Sequence, residues 1–309
     1  MIKKRWLKYG LVGLMILLVG GILVGSNYLV SYAFTRGVPG PSNHKKAAVL
    51  KADQVWLKNV KQEQWQQRAA NSSLRLVATY VPAAKATNKT IIVAHGYHEN
   101  HTSMASYIRL FHNLGYNVLA PDDRGSGKSQ GKYLTFGWLD RLDYVNWIKK
   151  VIKYQGQNSQ IGLFGVSMGG ATVMMVSGQK LPSQVKAIVE DCGYSSVEAE
   201  LTNQLKAQFN LPKEPFIMLA SMIAKIRVGF DFRQAKATTA LRKNTLPLYL
   251  IHGDSDHFVA TKMVKQNYAA QAGTKKLWIS KKTGHAMTYY NYPHEYQQRV
   301  GAFFAKYLQ

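Results

Sequence analysis

Two glycines around one serine constrain this chain more than any other local pattern. The pentapeptide Gly165-Val166-Ser167-Met168-Gly169 lies between an apolar run, Ile161 to Phe164, and a helix-like run, Ala171 to Ser177. A short apolar run of this kind reads as a buried strand, so the pentapeptide must turn a strand into a helix within a few residues. So sharp a turn has no room for a Cβ atom two residues to either side of its apex, and it holds the apex residue in a strained conformation. Ser167 is that apex, its hydroxyl thrust clear of the sheet in the manner of a nucleophile elbow.

The remainder of the chain alternates as such a turn requires. Apolar runs predict strands near Leu74 to Val81, Ile91 to Ala94, Asn117 to Ala120, Ile161 to Phe164, Val185 to Val189, Leu248 to Ile251 and Leu277 to Ile279. Helices are predicted near Ala47 to Lys58, Ser103 to Leu114, Leu139 to Tyr154, Ser167 to Gly178, Lys262 to Ala272 and Pro293 to Leu308, with a hairpin turning near Asn71-Ser72. This alternation argues an α/β fold with a mostly parallel sheet and helices on both faces. Beyond the N-terminal segment about 270 residues remain, one large domain with chain enough for an extensive core.

A neutral serine hydroxyl is a poor nucleophile, so it needs a base, and the base needs an acid to fix its tautomer. In sheets of this kind acid and histidine follow later strands, in the chain order serine, acid, histidine. After Leu248 to Ile251 comes His252-Gly253-Asp254-Ser255-Asp256-His257-Phe258-Val259, and after Lys276 to Ile279 comes Lys282-Thr283-Gly284-His285-Ala286-Met287. His285 is the candidate base and Asp256 the candidate acid, with Asp254 its close competitor. Asp191, after the run Val185 to Val189, is a further alternative.

Several separate motifs now carry a resemblance: Ala94-His95-Gly96-Tyr97, Pro121-Asp122-Asp123-Arg124-Gly125-Ser126-Gly127-Lys128-Ser129, the serine elbow, His252-Gly253-Asp254-Ser255-Asp256, and Gly284-His285. From about Gln62 to the C-terminus the chain resembles an α/β-hydrolase fold serine hydrolase. It is most similar to the membrane-anchored members of Gram-positive bacteria grouped with serine aminopeptidase-like and esterase-like hydrolases. In that family the acid lies three residues after the glycine of the His-Gly pair, which selects Asp256; Ala260 stands where relatives usually carry proline. The resemblance also implies an oxyanion hole built from the backbone N–H groups of Met168 and Tyr97, and a bracing role for the Arg124 turn at the site rim. The segment from Tyr194 to Leu246, which includes Pro215 to Ile223 and has no clear strand, falls where the family inserts a helical cap; residues 195–246 are therefore expected to lie over the site.

Other conspicuous residues have plainer readings. His95, His98 and His101 recur every third residue with Glu99 among them, but no H-E-x-x-H motif is present and His95 ends a strand. Neither a metal nor a cofactor is expected. His252 and His257 read as hydrogen-bonded loop residues, and Cys192, the single cysteine, as a small packed hydrophobe.

The N-terminus suggests a compartment. Leu11 to Val30 is an almost wholly apolar run, long enough at 1.5 Å per residue to cross a hydrocarbon core of ~30 Å, and Lys3, Lys4, Arg5 and Lys8 precede it. Residues 1–36 are therefore expected to be a cytoplasmic tip and a transmembrane anchor, 37–61 a linker and helix, and 62–309 a hydrolase domain outside the cell. The alternative is a secreted protein cleaved after Ser31-Tyr32-Ala33. The formal net charge is +24, and removing Lys3, Lys4, Arg5, Lys8 and Arg36 leaves +19 on the exterior part. Such a charge implies anionic surroundings, cell-wall polymers or lipid headgroups, in addition to a small ester or peptide substrate. Nucleic acid is not expected, since no binding motif for it occurs.

Carboxylic ester hydrolysis through an acyl-enzyme is the leading expectation. A peptidase or amidase of the aminopeptidase type is the alternative, disfavoured because the cap offers few carboxylates for a substrate ammonium: Glu198, Glu200, Glu214 and Asp231. Acyl transfer, and a non-catalytic envelope scaffold, complete the set.

Overall fold

The computed structural model describes residues 2–37 and 44–309. Positions 38–43 of the expected linker lie outside the described residues, as do the side chains of Lys3, Lys4 and Arg5. The strands are β1 (Glu63–Arg68), β2 (Arg75–Val81), β3 (Lys89–Ala94), β4 (Asn117–Pro121), β5 (Gln160–Val166), β6 (Val185–Asp191), β7 (Leu248–Gly253) and β8 (Lys275–Ser280). The helices are α1 (Ile2–Phe34), α2 (His44–Asn59), α3 (Ala105–Asn113), α4 (Asp140–Gln155), α5 (Met168–Val176) and α6 (Val197–Phe209), then α7 (Phe216–Arg227), α8 (Ala237–Leu241), α9 (Lys262–Ala270), α10 (Thr288–Asn291) and α11 (Pro293–Tyr307).

The strands form one sheet in the order β1-β2-β4-β3-β5-β6-β7-β8. β1 and β2 pair antiparallel, β2 pairs antiparallel with β4, and every pairing from β4 through β3 to β8 is parallel. Alternate residues of the central strands supply two separate cores. Ile161 and Leu163 of β5 face the layer holding Trp147 of α4 and Met174 of α5, whereas Phe164 and Val166 face the layer holding Phe111 of α3 and Phe304 of α11. Because both faces are covered, both sets of positions must be apolar, which is why these strands read as continuous runs. β1 is different: of Glu-Gln-Trp-Gln-Gln-Arg only Trp65 is buried, stacked on Tyr80 of β2.

The helix α1 is one rod of 33 residues. Its segment from Lys8 to Phe34 is long and apolar enough to cross a membrane. Through the middle its side chains are exposed all round, but from Ile22 onward a stripe at helical spacing turns inward, and Ser26, Val30 and Phe34 are each 1% exposed or less. Phe34 packs against Phe136, Phe230 and Phe232. The Phe34 carbonyl accepts from Leu134 N at 2.7 Å, the Ala33 carbonyl accepts from the Tyr97 hydroxyl at 2.7 Å, and the Arg36 guanidinium donates to the carbonyls of Gly127 and Ser129. A boundary between anchor and domain at residue 36 therefore does not correspond to a gap in packing, because the last turns of α1 are part of the core.

That packing sets an expectation for stability. Phe34→Ala in the full chain, held in detergent, should lower unfolding stability by about 3–5 kcal/mol, the cost of emptying a well-packed aromatic site, and its Tm should fall accordingly. Leu17→Ala, at a position 74% exposed, should leave Tm near that of the parent.

Candidate active site

At the carboxyl ends of β5, β7 and β8, three side chains from distant parts of the chain meet. The elbow works as its spacing implies. A Cβ on Gly165 would collide with the carbonyl of Gly169, and one on Gly169 with the carbonyl of Ala94 at the end of β3. Strand end and helix start are thus pressed backbone to backbone, and Ser167 between them takes φ 57° and ψ −118°, a region an L-residue occupies only when its surroundings compel it. The Ser167 amide is tied to the Asp191 carbonyl at 2.8 Å.

His285, in the loop after β8, places Nε2 2.8 Å from Ser167 Oγ and Nδ1 2.7 Å from Asp256 Oδ2. Asp256 is buried, and its other oxygen accepts from the amides of Phe258 and Val259, both at 2.9 Å. Burial alone would raise its pKa, but bonds from His252 and His285 outweigh that and hold the carboxyl far below the ordinary aspartate range. With Ala260 in place of proline the loop still brings Asp256 to His285. Asp254 is instead exposed, binding the Ser255 hydroxyl and the Thr283 amide. Asp191 is buried and makes no bond to His285; it accepts instead from the Tyr296 hydroxyl at 2.9 Å.

Backbone groups of the expected oxyanion hole border the same cavity. Met168 begins α5, and the amides of a first helical turn have no partner within their helix. The His95-Gly96 turn brings Tyr97 alongside, since a Cβ on Gly96 would sit 3.7 Å from Ser167 Cβ. This turn is braced from below: His95 Nε2 accepts from the Asp123 amide at 3.0 Å, and His101 Nδ1 lies 2.8 Å from Asp122. His98 stacks on Tyr97. Arg124, expected to brace the site rim, is buried and grips Asp143 of α4 and the Ala70 carbonyl of the β1-β2 hairpin; it does not line the cavity over Ser167.

The cavity over Ser167 and His285 has a volume of about 600 Å³, within the usual range of small-molecule sites. Its walls are mainly apolar and come from α6 (Leu201, Leu205, Phe209), α7 (Phe216, Ile217, Ala220) and the end of α1 (Leu29, Val30, Ala33, Phe34). The contribution of α1 to the cavity was not expected from the sequence, although Ser26 and Asn27 inside the apolar run were a signal that one face meets protein. Two carboxylates also line it. Glu99 is paired with Lys46 at 3.3 Å and accepts from the Gly96 amide. Glu200 is pushed up to about 7, chiefly by burial.

Beneath the site lies a second buried acid. Glu190 accepts from the Gly193 amide at 2.8 Å and faces His252, whose Nε2 lies 2.9 Å from the Val259 carbonyl and 3.3 Å from Asp256. Burial opposes charge on His252, but the Asp256 bond and the nearby Glu190 raise its pKa.

With this geometry established, comparison with known proteins gives a consistent picture. Residues 85–210 match the family model described as serine aminopeptidase, S33. An uncharacterized Bacillus subtilis protein, YqkD, is 29% identical over 224 residues, 72% of this chain and 73% of that protein. Among solved structures, the esterase Pf2001 of Pyrococcus furiosus superposes with a TM-score of 0.65 at 22% identity, covering 89% of this chain and 99% of that one. An acylaminoacyl peptidase of Pyrococcus horikoshii gives 0.58 at 19% identity, covering 83% of this chain and 43% of that one.

Burial pushes Glu190 from an ordinary 4.5 up to about 8. The folded protein thus holds this proton more tightly than the unfolded chain, so the contribution to stability is full below about 4.5 and is lost as pH rises through about 8. Glu190→Gln keeps an acceptor for Gly193 and removes the titration. Its stability, followed by Tm across that window, should decline less with rising pH than that of the parent. The strand order, the elbow and the superpositions agree: the chain has the α/β-hydrolase fold, and in residues 85–210 it is similar in sequence to the serine aminopeptidases.

Proposed function

We propose that this protein is a serine hydrolase that cleaves carboxylic esters through an acyl-enzyme on Ser167. The observation that carries the proposal is the unbroken pair of short hydrogen bonds, 2.8 Å from Ser167 Oγ to His285 Nε2 and 2.7 Å from His285 Nδ1 to Asp256, at one end of an apolar cavity. His285 takes the Ser167 proton as Oγ attacks the ester carbonyl and returns it to the departing alcohol; water then enters by the same route and releases the acid. Asp256, ionised at any ordinary pH, orients the ring and stabilises it when charged. The amides of Met168 and Tyr97 receive the oxyanion.

Ester is favoured over peptide by the state of the cavity carboxylates. An aminopeptidase has to bind a substrate ammonium, yet Glu99 is already paired with Lys46, and Glu200, its pKa raised by burial, is partly neutral near pH 7. Glu198 and Asp231 are paired with Lys213 and Arg233. The similarity to an esterase across nearly its whole length agrees with this reading, and the helices α6 and α7 serve as the cap. An uncleaved anchor is favoured over a cleaved leader because cutting after Ala33 would strip Ser26 and Val30 from the core. The positive residues before the apolar run, Lys3, Lys4, Arg5 and Lys8, favour the outer side of the membrane for the hydrolase body, where its basic surface meets anionic wall polymers or headgroups.

Kinetics with the full chain and p-nitrophenyl acetate test this. Ser167→Ala should reduce turnover to background. Asp256→Asn should cut kcat by roughly 10²–10⁴-fold, as loss of an orienting acid does, while Asp254→Asn stays close to the parent. Equal effects of the two aspartate changes, or activity surviving in Ser167→Ala, would contradict the assignment.

A further inference from the structure

The membrane helix is also a wall of the cavity, and this bears on what enters it. Trp6 and Tyr9 are exposed at one end of α1, and Tyr28 and Tyr32 at the other. Tyr9 and Tyr28 are separated by roughly 28 Å at 1.5 Å per residue, close to the ~30 Å of a hydrocarbon core, and aromatic residues of this kind settle at its two borders. The cavity begins one residue past Tyr28, with Leu29 and Val30. The part of α1 that walls the cavity therefore starts beside the aromatic residues that mark the outer border.

A second element lies at the same level. α7 crosses α1 there: its first residue, Phe216, packs beside Gly25, and its last, Arg227, donates to Asn27. One face of α7 lines the cavity. The other presents Met218, Met222 and Ile226 at four-residue steps, 43%, 54% and 86% exposed, with Lys225 and Arg227 beside them. An apolar row edged by cations is the pattern of a helix lying in a membrane interface. Between α1 and α6 one side chain both lines the cavity and reaches the outer surface. Tyr32 lines the cavity, is half exposed, and closes the seam through its hydroxyl bond to Gln208 at 2.8 Å and an edge contact with Phe209.

We infer that the substrate is an acyl ester resident in the bilayer, whose chain passes at Tyr32 from the lipid into the cavity between α1 and α6. This rests on the hydrolase reading above and names its substrate class. The acyl chain lies against Val30 and Phe216, the ester carbonyl reaches Ser167, and the alcohol portion stays toward the basic surface. The balance is that of hydrolysis: the carbonyl–alcohol oxygen bond breaks, one water is consumed, and a fatty acid and an alcohol are released, with no other reactant.

The test uses the full chain in vesicles of phosphatidylglycerol and phosphatidylcholine, with p-nitrophenyl acetate as the water-soluble ester and p-nitrophenyl palmitate as the bilayer-resident one. Palmitate should be the better substrate by kcat/KM. Met222→Glu combined with Ile226→Glu should lower kcat/KM for palmitate by about tenfold, as loss of interfacial seating would, with acetate turnover unchanged. Val30→Trp, which fills the cavity from α1, should lower the palmitate-to-acetate ratio by a similar factor. Preference for acetate in the parent, or a ratio unmoved by either variant, overturns the inference while leaving the hydrolase reading intact. Absence of turnover of both esters by the parent overturns the hydrolase reading, and this one with it.

Discussion

Everything at this site depends on the close approach of two backbones. Gly165 meets the carbonyl of Gly169, and Gly169 meets the carbonyl of Ala94, with no space for a side chain in either gap. Only because strand and helix are pressed together so tightly is Ser167 forced to φ 57°, and only in that conformation does its hydroxyl stand above the strand ends where the loops after β7 and β8 can reach it. The strain costs of order 1–3 kcal/mol, and the parallel sheet around it, apolar on both faces, supplies the stability that sustains it. Single added methyl groups at either glycine act on geometry first and on stability second.

The same economy of space governs α1. A helix whose last turns are packed among Phe136, Phe230 and Phe232 is not a tether on a flexible lead. It fixes the distance and tilt between whatever its apolar length is embedded in and the cavity over Ser167. In the reading proposed here, membrane attachment and substrate access are consequences of one helix, and a truncated body would lose part of its pocket together with its anchor.

Much of this was legible in the sequence, for identifiable reasons. Central strands such as β3, β5 and β7 are buried on both faces, so their runs are continuously apolar and stand out; β1, with one inward residue, Trp65, does not. The elbow was legible because backbone contact demands glycine. That Asp256 and not Asp254 reaches His285 was not legible from composition, since both follow the same strand within two residues; the family spacing favoured Asp256, and the amides of Phe258 and Val259 are what turn it inward. The docking of α1 was hidden because a side chain such as Val30 or Phe34 looks the same whether it faces lipid or a protein core. A helical cap over residues 195–246 was implied by the family, but the bounds of α7 within it were not legible, since α7 is apolar on its buried face and on part of its exposed one and periodicity has little contrast.

The most direct test of the account is to find where a covalent inhibitor lands. The full chain, treated with a fluorophosphonate and digested, should carry the phosphonyl group on the peptide containing Gly165 to Gly169, at Ser167, with labelling that Asp256→Asn slows and Asp254→Asn does not. An adduct on any other residue of the folded protein, or none at all, would contradict it.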